Sequence, residues 1–232
     1  MKTYIDRKKI SARAELSNLA SIGGLVLLLA SVVAPLFLTQ LASLSFWLMV
    51  AGLGTAMVGI YFANRWVRKP RPEDGLDKAL KGLADNYHLY HYPSLPCDHL
   101  LLTPNGVVVL ETVSLPGVFS YKGGRWRETM TIGRAIRYIV EEHVGDPIKS
   151  ATRTGQYLQE QIRKIVRVEA EVPVKPLVVF VHPGAFLEVE NSSIPVLRAE
   201  KLKKQVTIDA PRLDGEVYES LDTFFQDLTL KK

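Results

Sequence analysis

Cys97-Asp98-His99-Leu100-Leu101-Leu102-Thr103-Pro104-Asn105-Gly106-Val107-Val108-Val109-Leu110-Glu111-Thr112-Val113 is the stretch on which the reading of this chain turns. Two β-rich runs, His99 to Thr103 and Val107 to Val113, flank Pro104-Asn105-Gly106. Asn-Gly between such runs is a strong hairpin signal. With Asn105-Gly106 as a two-residue loop, Pro104 falls opposite Val107 and Asp98 opposite Val113. Side chains alternate faces along a strand, so Glu111 and Val113 share a face with Asp98. Asp98 and Glu111 then become diagonal neighbours, about 7–8 Å apart at the backbone. Two carboxylates so placed can converge on one divalent cation. Oxygen ligands with open water positions suit Mg²⁺ or Mn²⁺, which can activate water for phosphodiester hydrolysis. In the blander reading, Asp98 merely opens one strand and Glu111 faces solvent near the end of the next.

Outward from the hairpin, Ser114-Leu115-Pro116-Gly117 turns the chain into Val118 to Lys122, and Gly123-Gly124 turns it again into Arg125 to Thr131. If the first of these turns closes a second hairpin, Lys122 lies opposite Val109 and shares the face of Glu111. Upstream, Glu73 to Tyr87 reads as a helix, because Leu76, Ala79, Leu80, Leu83 and Tyr87 recur at three- and four-residue spacing. Downstream, Gly145-Asp146-Pro147 precedes a helix over Lys149 to Val168, with Tyr157, Leu158, Ile162, Ile165 and Val166 inward. Ile132 to His143 fits neither helix nor strand clearly. The continuous apolar run in Pro176 to His182 predicts a strand buried on both faces. Ile194 to Leu197 predicts another strand, and Glu200 to Gln205 and Glu216 to Leu228 predict helices. This order gives a mixed sheet flanked by helices.

On the N-terminal side, 49 residues from Leu16 to Asn64 hold no Asp, Glu, Lys or Arg. A bilayer crossing takes about 20 apolar residues, so the stretch fits two crossings, roughly Asn18 to Leu38 and Ala42 to Asn64, with a tight link at Gln40-Leu41. Lys2, Arg7, Lys8, Lys9 and Arg13 precede it, and Arg65, Arg68, Lys69 and Arg71 follow. Positive flanks stay in the cytoplasm, which places both termini and the soluble domain there. A cleaved signal peptide fits poorly, since a second span follows at once without an A-x-A site. Gly52, Thr55, Ala56 and Gly59 could let the helices approach closely. The expected organisation is a basic N-terminus (1–15), a transmembrane hairpin (16–64), a linker (65–72) and an α/β domain (73–232).

The chain carries 29 basic and 24 acidic residues. Residues 1–15 hold 5 and 2 of these, leaving 24 and 22 for the rest. The soluble domain is thus nearly balanced in charge, which argues against a strongly basic nucleic-acid-binding domain. Local basic residues include Lys122, Arg125, Arg127, Arg134, Arg137, Lys149, Arg153, Arg163, Lys164 and Arg167. The single cysteine, Cys97, excludes an intrachain disulfide. His88, His91, Cys97 and His99 lack the paired spacing of a zinc site. No P-loop or dinucleotide fingerprint is present.

The segment from Cys97 to Thr112 resembles the central motif of the nuclease-related domain (NERD) family: an acid and a His before a strand, then Pro-x-Gly, then an apolar strand ending in Glu. The resemblance continues through Gly117, Trp126, Gly145-Asp146-Pro147 and Val178-Val179-Phe180, and covers most of residues 73 to 210. It implies a fold similar to the PD-(D/E)xK nucleases, with Asp98 and Glu111 as metal-binding acids. It also implies Asp77 as an acid on the first helix, where the family more often has Glu. Mg²⁺ or Mn²⁺ would be the cofactor and DNA or RNA the partner. The family's lysine, two residues after the Glu, is replaced here by Val113. Ser150 stands where a Gln often occurs, and Asp146 replaces an Asn. Lys122, arriving from the neighbouring strand, is the expected substitute cation. The alternative is a catalytically degenerate domain that binds nucleic acid or a protein partner at the membrane.

Overall fold

The computed structural model describes residues 1–37, 42–129, 144–166 and 172–230. Two compact units emerge. One comprises residues 7–71. It holds α1 (Arg7–Phe37) and α2 (Ala42–Trp66). Both helices are long and apolar enough to cross a bilayer. Their large side chains point outward instead of forming a core: Leu19 is 72% exposed, Leu36 77% and Trp47 66%. Water would penalise such a surface heavily, whereas hydrocarbon would not. The two helices meet along small residues. Gly24 lies against Ala56, Gly52 against Leu28 and Gly59 against Ser21, each so close that a Cβ would clash. Ser17 Oγ donates to the Gly59 carbonyl at 3.0 Å. Gly52, Ala56 and Gly59 therefore serve contact within the hairpin, while the Thr55 hydroxyl turns back to the Ala51 carbonyl. The link at Gln40-Leu41 lies outside the described residues.

The other unit is a mixed α/β domain. Its main sheet has the strand order β1-β2-β3-β4-β7-β9. These strands are β1 (Lys2–Ile5), β2 (His88–His91), β3 (His99–Thr103), β4 (Gly106–Val113), β7 (Val174–Phe180) and β9 (Val196–Arg198). A second sheet, β6-β5-β8, is built from β5 (Gly117–Lys122), β6 (Arg125–Glu128) and β8 (Ala185–Val189). The helices are α3 (Pro72–Leu80), α4 (Pro147–Ile165), α5 (Ala199–Gln205) and α6 (Gly215–Thr229).

Alternation along β3 and β4 gives the main sheet two apolar faces. Leu101, Val108 and Leu110 pack with Leu76 and Leu80 of α3 and Leu202 of α5. Leu100, Leu102, Val107 and Val109 pack with Leu158 and Ile162 of α4 and Leu221 and Phe225 of α6. A third cluster beneath the small sheet joins Val113, Phe119, Ile148, Ala151, Val178 and Phe180. The continuous apolar run of β7 is explained by burial between layers: Leu177 and Val179 enter the first cluster, Val178 and Phe180 the third.

Strand β1 was hidden by the basic residues around it. The segment expected as a basic arm over 1–15 instead begins with an edge strand, parallel to β2 in the register Lys2–His88 to Ile5–His91. Only Asp6 separates β1 from α1, and its amide still bonds the His91 carbonyl at 3.3 Å. Tyr4 stacks on Tyr90, with ring centroids 5.1 Å apart and planes 12° from parallel. Beneath them, Tyr90 OH and His88 Nδ1 both donate to Asp222 of α6. Burial pushes the Asp222 carboxyl up, but the bonds from Tyr90, His88 and Gln226 outweigh it and hold the group below its ordinary value. Burial and the Asp222 charge drive Tyr4 the other way, keeping its phenol protonated.

The hairpin turn also differs from expectation. Pro104-Asn105, not Asn105-Gly106, forms the two-residue loop, and Thr103 pairs with Gly106. Proline's fixed φ suits a turn corner. Thr103 Oγ1 accepts from the Asn105 amide at 3.2 Å and donates to the Gly106 carbonyl at 2.9 Å, closing the loop locally. Gly106 adopts φ +147°, and a Cβ there would lie 2.5 Å from the Pro173 carbonyl, so glycine is required. The pairing shifts by two residues, which leaves every side chain on its expected face. Strand β8, not anticipated, follows Pro183-Gly184 and alternates buried and exposed residues. Ile132 to His143 lie outside the described residues.

Candidate functional site

At one end of the main sheet, the last registered pair of the β3–β4 hairpin is His99–Leu110. One step further along lie Asp98, just before β3, and Glu111, within β4. The ladder on the other side also continues through Asp98, whose carbonyl accepts the Tyr92 amide at 2.6 Å. The shifted register takes Asp98 and Glu111 out of the diagonal relation expected from the sequence. Both acids are half-buried. Glu111 continues the parity of Val107 and Val109, so it belongs to the α4 face, and its partner on β7 is Val178. Val113, the next residue on that face, is 8% exposed and packs with Phe119, Ile148 and Phe180. No charge occupies the position two residues after Glu111.

The other two candidates lie elsewhere. Asp77 sits on α3, on the opposite face of the sheet. Its carboxylate is within 3.3 Å of His91 Nε2 and accepts from Thr3 Oγ1 at 3.4 Å. Behind it, His91 Nδ1 and His99 Nδ1 are 2.8 Å apart, so one of the two must carry the shared proton. Both rings are fully buried. Lys122 does not lie opposite Val109: β5 pairs with β6 and β8 in the separate sheet, and Lys122 stands across from Arg125. Its ammonium holds Glu190 at 2.9 Å, which raises its pKa. The second hairpin was inferred from a turn signal that is real, but the chain leaves the main sheet at Ser114-Leu115-Pro116 instead of folding back on it.

Sequence reasoning passed over Glu73. This residue is 2% exposed at the start of α3 and accepts from Tyr92 OH at 2.7 Å. Tyr92 in turn bonds Asp98 through its amide, so Glu73 reaches Asp98 through Tyr92, while Asp77 reaches the adjacent His99 through His91. A Glu in the first turn after Pro72 was the available signal. Tyr157, expected inward, is 40% exposed and lines a groove.

That groove, about 720 Å³, runs along α4 and is lined by Pro96, Asp146, Lys149, Ser150, Arg153, Thr154 and Tyr157. Thr154 Oγ1 donates to the Pro96 carbonyl at 3.1 Å, fixing the wall two residues from Asp98. Asp146 caps α4 by accepting the Lys149 amide at 3.1 Å. The groove thus gathers two cations, Lys149 and Arg153, with the hydroxyls of Ser150, Thr154 and Tyr157.

Among the described residues, no group of three or more His, Cys, Asp or Glu side chains forms a metal cage. A pair of carboxylates is nonetheless a fitting donor set for Mg²⁺ or Mn²⁺, because such ions keep several waters and use one or two protein carboxylates.

Residues 71–181 match the family model described as the nuclease-related domain. The match spans α3, the β3–β4 hairpin, α4 and β7. No curated protein and no solved structure matches the chain.

Proposed function

We propose, from the nuclease-related domain carried by residues 71–181, that this is a membrane-anchored protein whose domain binds nucleic acid through a divalent-cation site at Asp98 and Glu111. The observation that supports the reading is that Asp98 and Glu111 each lie one residue beyond His99–Leu110, the last registered pair of the β3–β4 hairpin. Bound there, Mg²⁺ or Mn²⁺ would neutralise phosphate charge and acidify a water molecule. The chain's own contribution is to hold the two carboxylates at the end of the β3–β4 hairpin, while Lys149 and Arg153 line the groove that Pro96 shares. Val113 accepts no proton and orients no water, and Lys122 is engaged with Glu190 in the other sheet. Phosphodiester hydrolysis is therefore slow relative to a site that keeps the strand lysine.

Membrane anchoring rests on α1 and α2 together with the connectivity. Strand β1 precedes the helical hairpin and β2 follows it, yet the two pair in one sheet. A folded sheet lies on one side of a bilayer, so the chain must cross and return. The basic flanks favour the cytoplasm as that side.

A second reading, favoured by Val113, is a metal-independent module for nucleic acid or a protein partner. Fluorescence anisotropy with a labelled oligonucleotide, using the full chain in nanodiscs, separates the two. The account expects Mn²⁺ to tighten binding and EDTA to reverse it, with Asp98→Asn insensitive to Mn²⁺. Binding that is indifferent to Mn²⁺ in the wild type would leave the second reading.

A further inference from the structure

We propose that the α4 groove is a binding site for single-stranded nucleic acid, with phosphates on Lys149 and Arg153 and an unstacked base on the ring of Tyr157. This deepens the proposed function, and its substrate class rests on that reading.

Lys149, Arg153 and Tyr157 stand at i, i+4 and i+8 of α4, one row on the helix surface with about 6 Å between successive members. The row is held in place from behind: Ala151, Leu158 and Ile162 are buried in the clusters beneath the helix. Lys149 and Arg153 are exposed. Asp146, the one acid in the groove, already accepts the Lys149 amide as the helix cap. Ser150 adds a hydroxyl donor between the cations. A volume of about 720 Å³ falls within the range of sites that enclose a small-molecule-sized group. Pro96, two residues before Asp98 in sequence, lines the groove beside Thr154.

An aromatic ring beside two cations suits a single strand over a duplex. In a duplex the bases are stacked on each other and their faces are closed to Tyr157; a single strand can turn one outward. The near balance of charge in the domain removes any large attractive field, so affinity depends on the groove itself. Two phosphate contacts predict a salt slope of about −1.4 for log K against log salt.

The test is anisotropy titration of the full chain in nanodiscs with labelled oligo-dT, oligo-U and a duplex of equal length, without divalent metal and then with Mn²⁺. Tighter binding of either single strand than of the duplex is expected, and repeating the titration with oligo-dU, which differs from oligo-U only in the 2′-hydroxyl, identifies the sugar preferred. Tyr157→Ala should weaken binding about 5- to 150-fold, while Tyr157→Phe retains it. Lys149→Gln should flatten the salt slope by about 0.7. Duplex bound as tightly as single strand, or Tyr157→Ala matching the wild type, overturns the proposal. Glu111→Gln separates the two claims: loss of the Mn²⁺ effect alone supports the carboxylate site. A wild-type chain indifferent to Mn²⁺ but sensitive to Tyr157→Ala leaves the groove standing and removes the metal reading.

Discussion

A chain lacking residues 2–5 is expected to lose about 3 kcal/mol of domain stability and to aggregate, although these residues lie more than 60 positions before the rest of the domain. Strand β1 contributes a four-residue parallel ladder to β2. Its Tyr4 covers Tyr90 and His88. Tyr4 is half-buried, so it gains part of the ~1.5–3 kcal/mol of a fully buried aromatic, and the aromatic pair adds about 0.5–1.5. Domains are stable by about 5–15 kcal/mol in total, so the loss is a large fraction. It also opens the edge of β2, His88 to His91, to pairing with other chains. Urea midpoints of full-length protein and the deletion, in the same detergent, measure this. Tyr4→Ala isolates the side chain and should account for most of the effect, while Tyr4→Phe should be mild. Unchanged midpoints would show that β1 adds nothing. A fragment beginning after α2 suffers the same defect, so biochemical work calls for the intact chain or a β1 peptide supplied in trans.

Val113→Lys is expected to raise Mn²⁺-dependent cleavage of an oligonucleotide about 100-fold or more, the low end of what a positioned proton-handling group contributes. Position 113 lies on the face of Glu111, one alternation further along β4. In the wild type it is filled by an isopropyl group among Phe119, Ile148 and Phe180. A lysine there would be partly desolvated, which disfavours its charged form, while the carboxylate pair favours it. The exchange must also displace apolar packing, so a lowered melting temperature should accompany the gain. Glu111→Gln in the same background should return cleavage to the starting rate. A folded Val113→Lys protein that binds Mn²⁺ yet cleaves no faster would show that the missing lysine is not what limits the reaction.

Sequence and structure diverge where local signals compete with distant ones. The uncharged run from Leu16 to Asn64 stands out because soluble cores rarely extend so far without charge, and the structure gives it two helices long and apolar enough to cross a bilayer. The faces of the β3–β4 hairpin were legible because a period of two is hard to disguise. The register was not: Asn105-Gly106 is the stronger general turn signal, but Thr103 and the crowding of Gly106 against Pro173 select Pro104-Asn105. Four residues of β1 carry no pattern long enough to read, and their partner lies beyond the helical hairpin. Lys122 and Tyr157 were misplaced for a related reason. Where a strand leaves its sheet, and how a helix is rolled, depend on packing partners that the local sequence does not contain. Asp77 and Glu73 occupy neighbouring turns of α3, and both are tied to the start of β3, Asp77 through His91 and His99 and Glu73 through Tyr92, links that the local sequence does not contain.

The most direct test counts bound Mn²⁺ by electron paramagnetic resonance on the full chain in nanodiscs, comparing wild type with Asp98→Asn and with Glu111→Gln. The account predicts one ion per chain in the wild type and at least a ten-fold loss of affinity in each variant, with melting temperatures preserved. Equal Mn²⁺ binding in all three proteins, or none in the wild type, would contradict it.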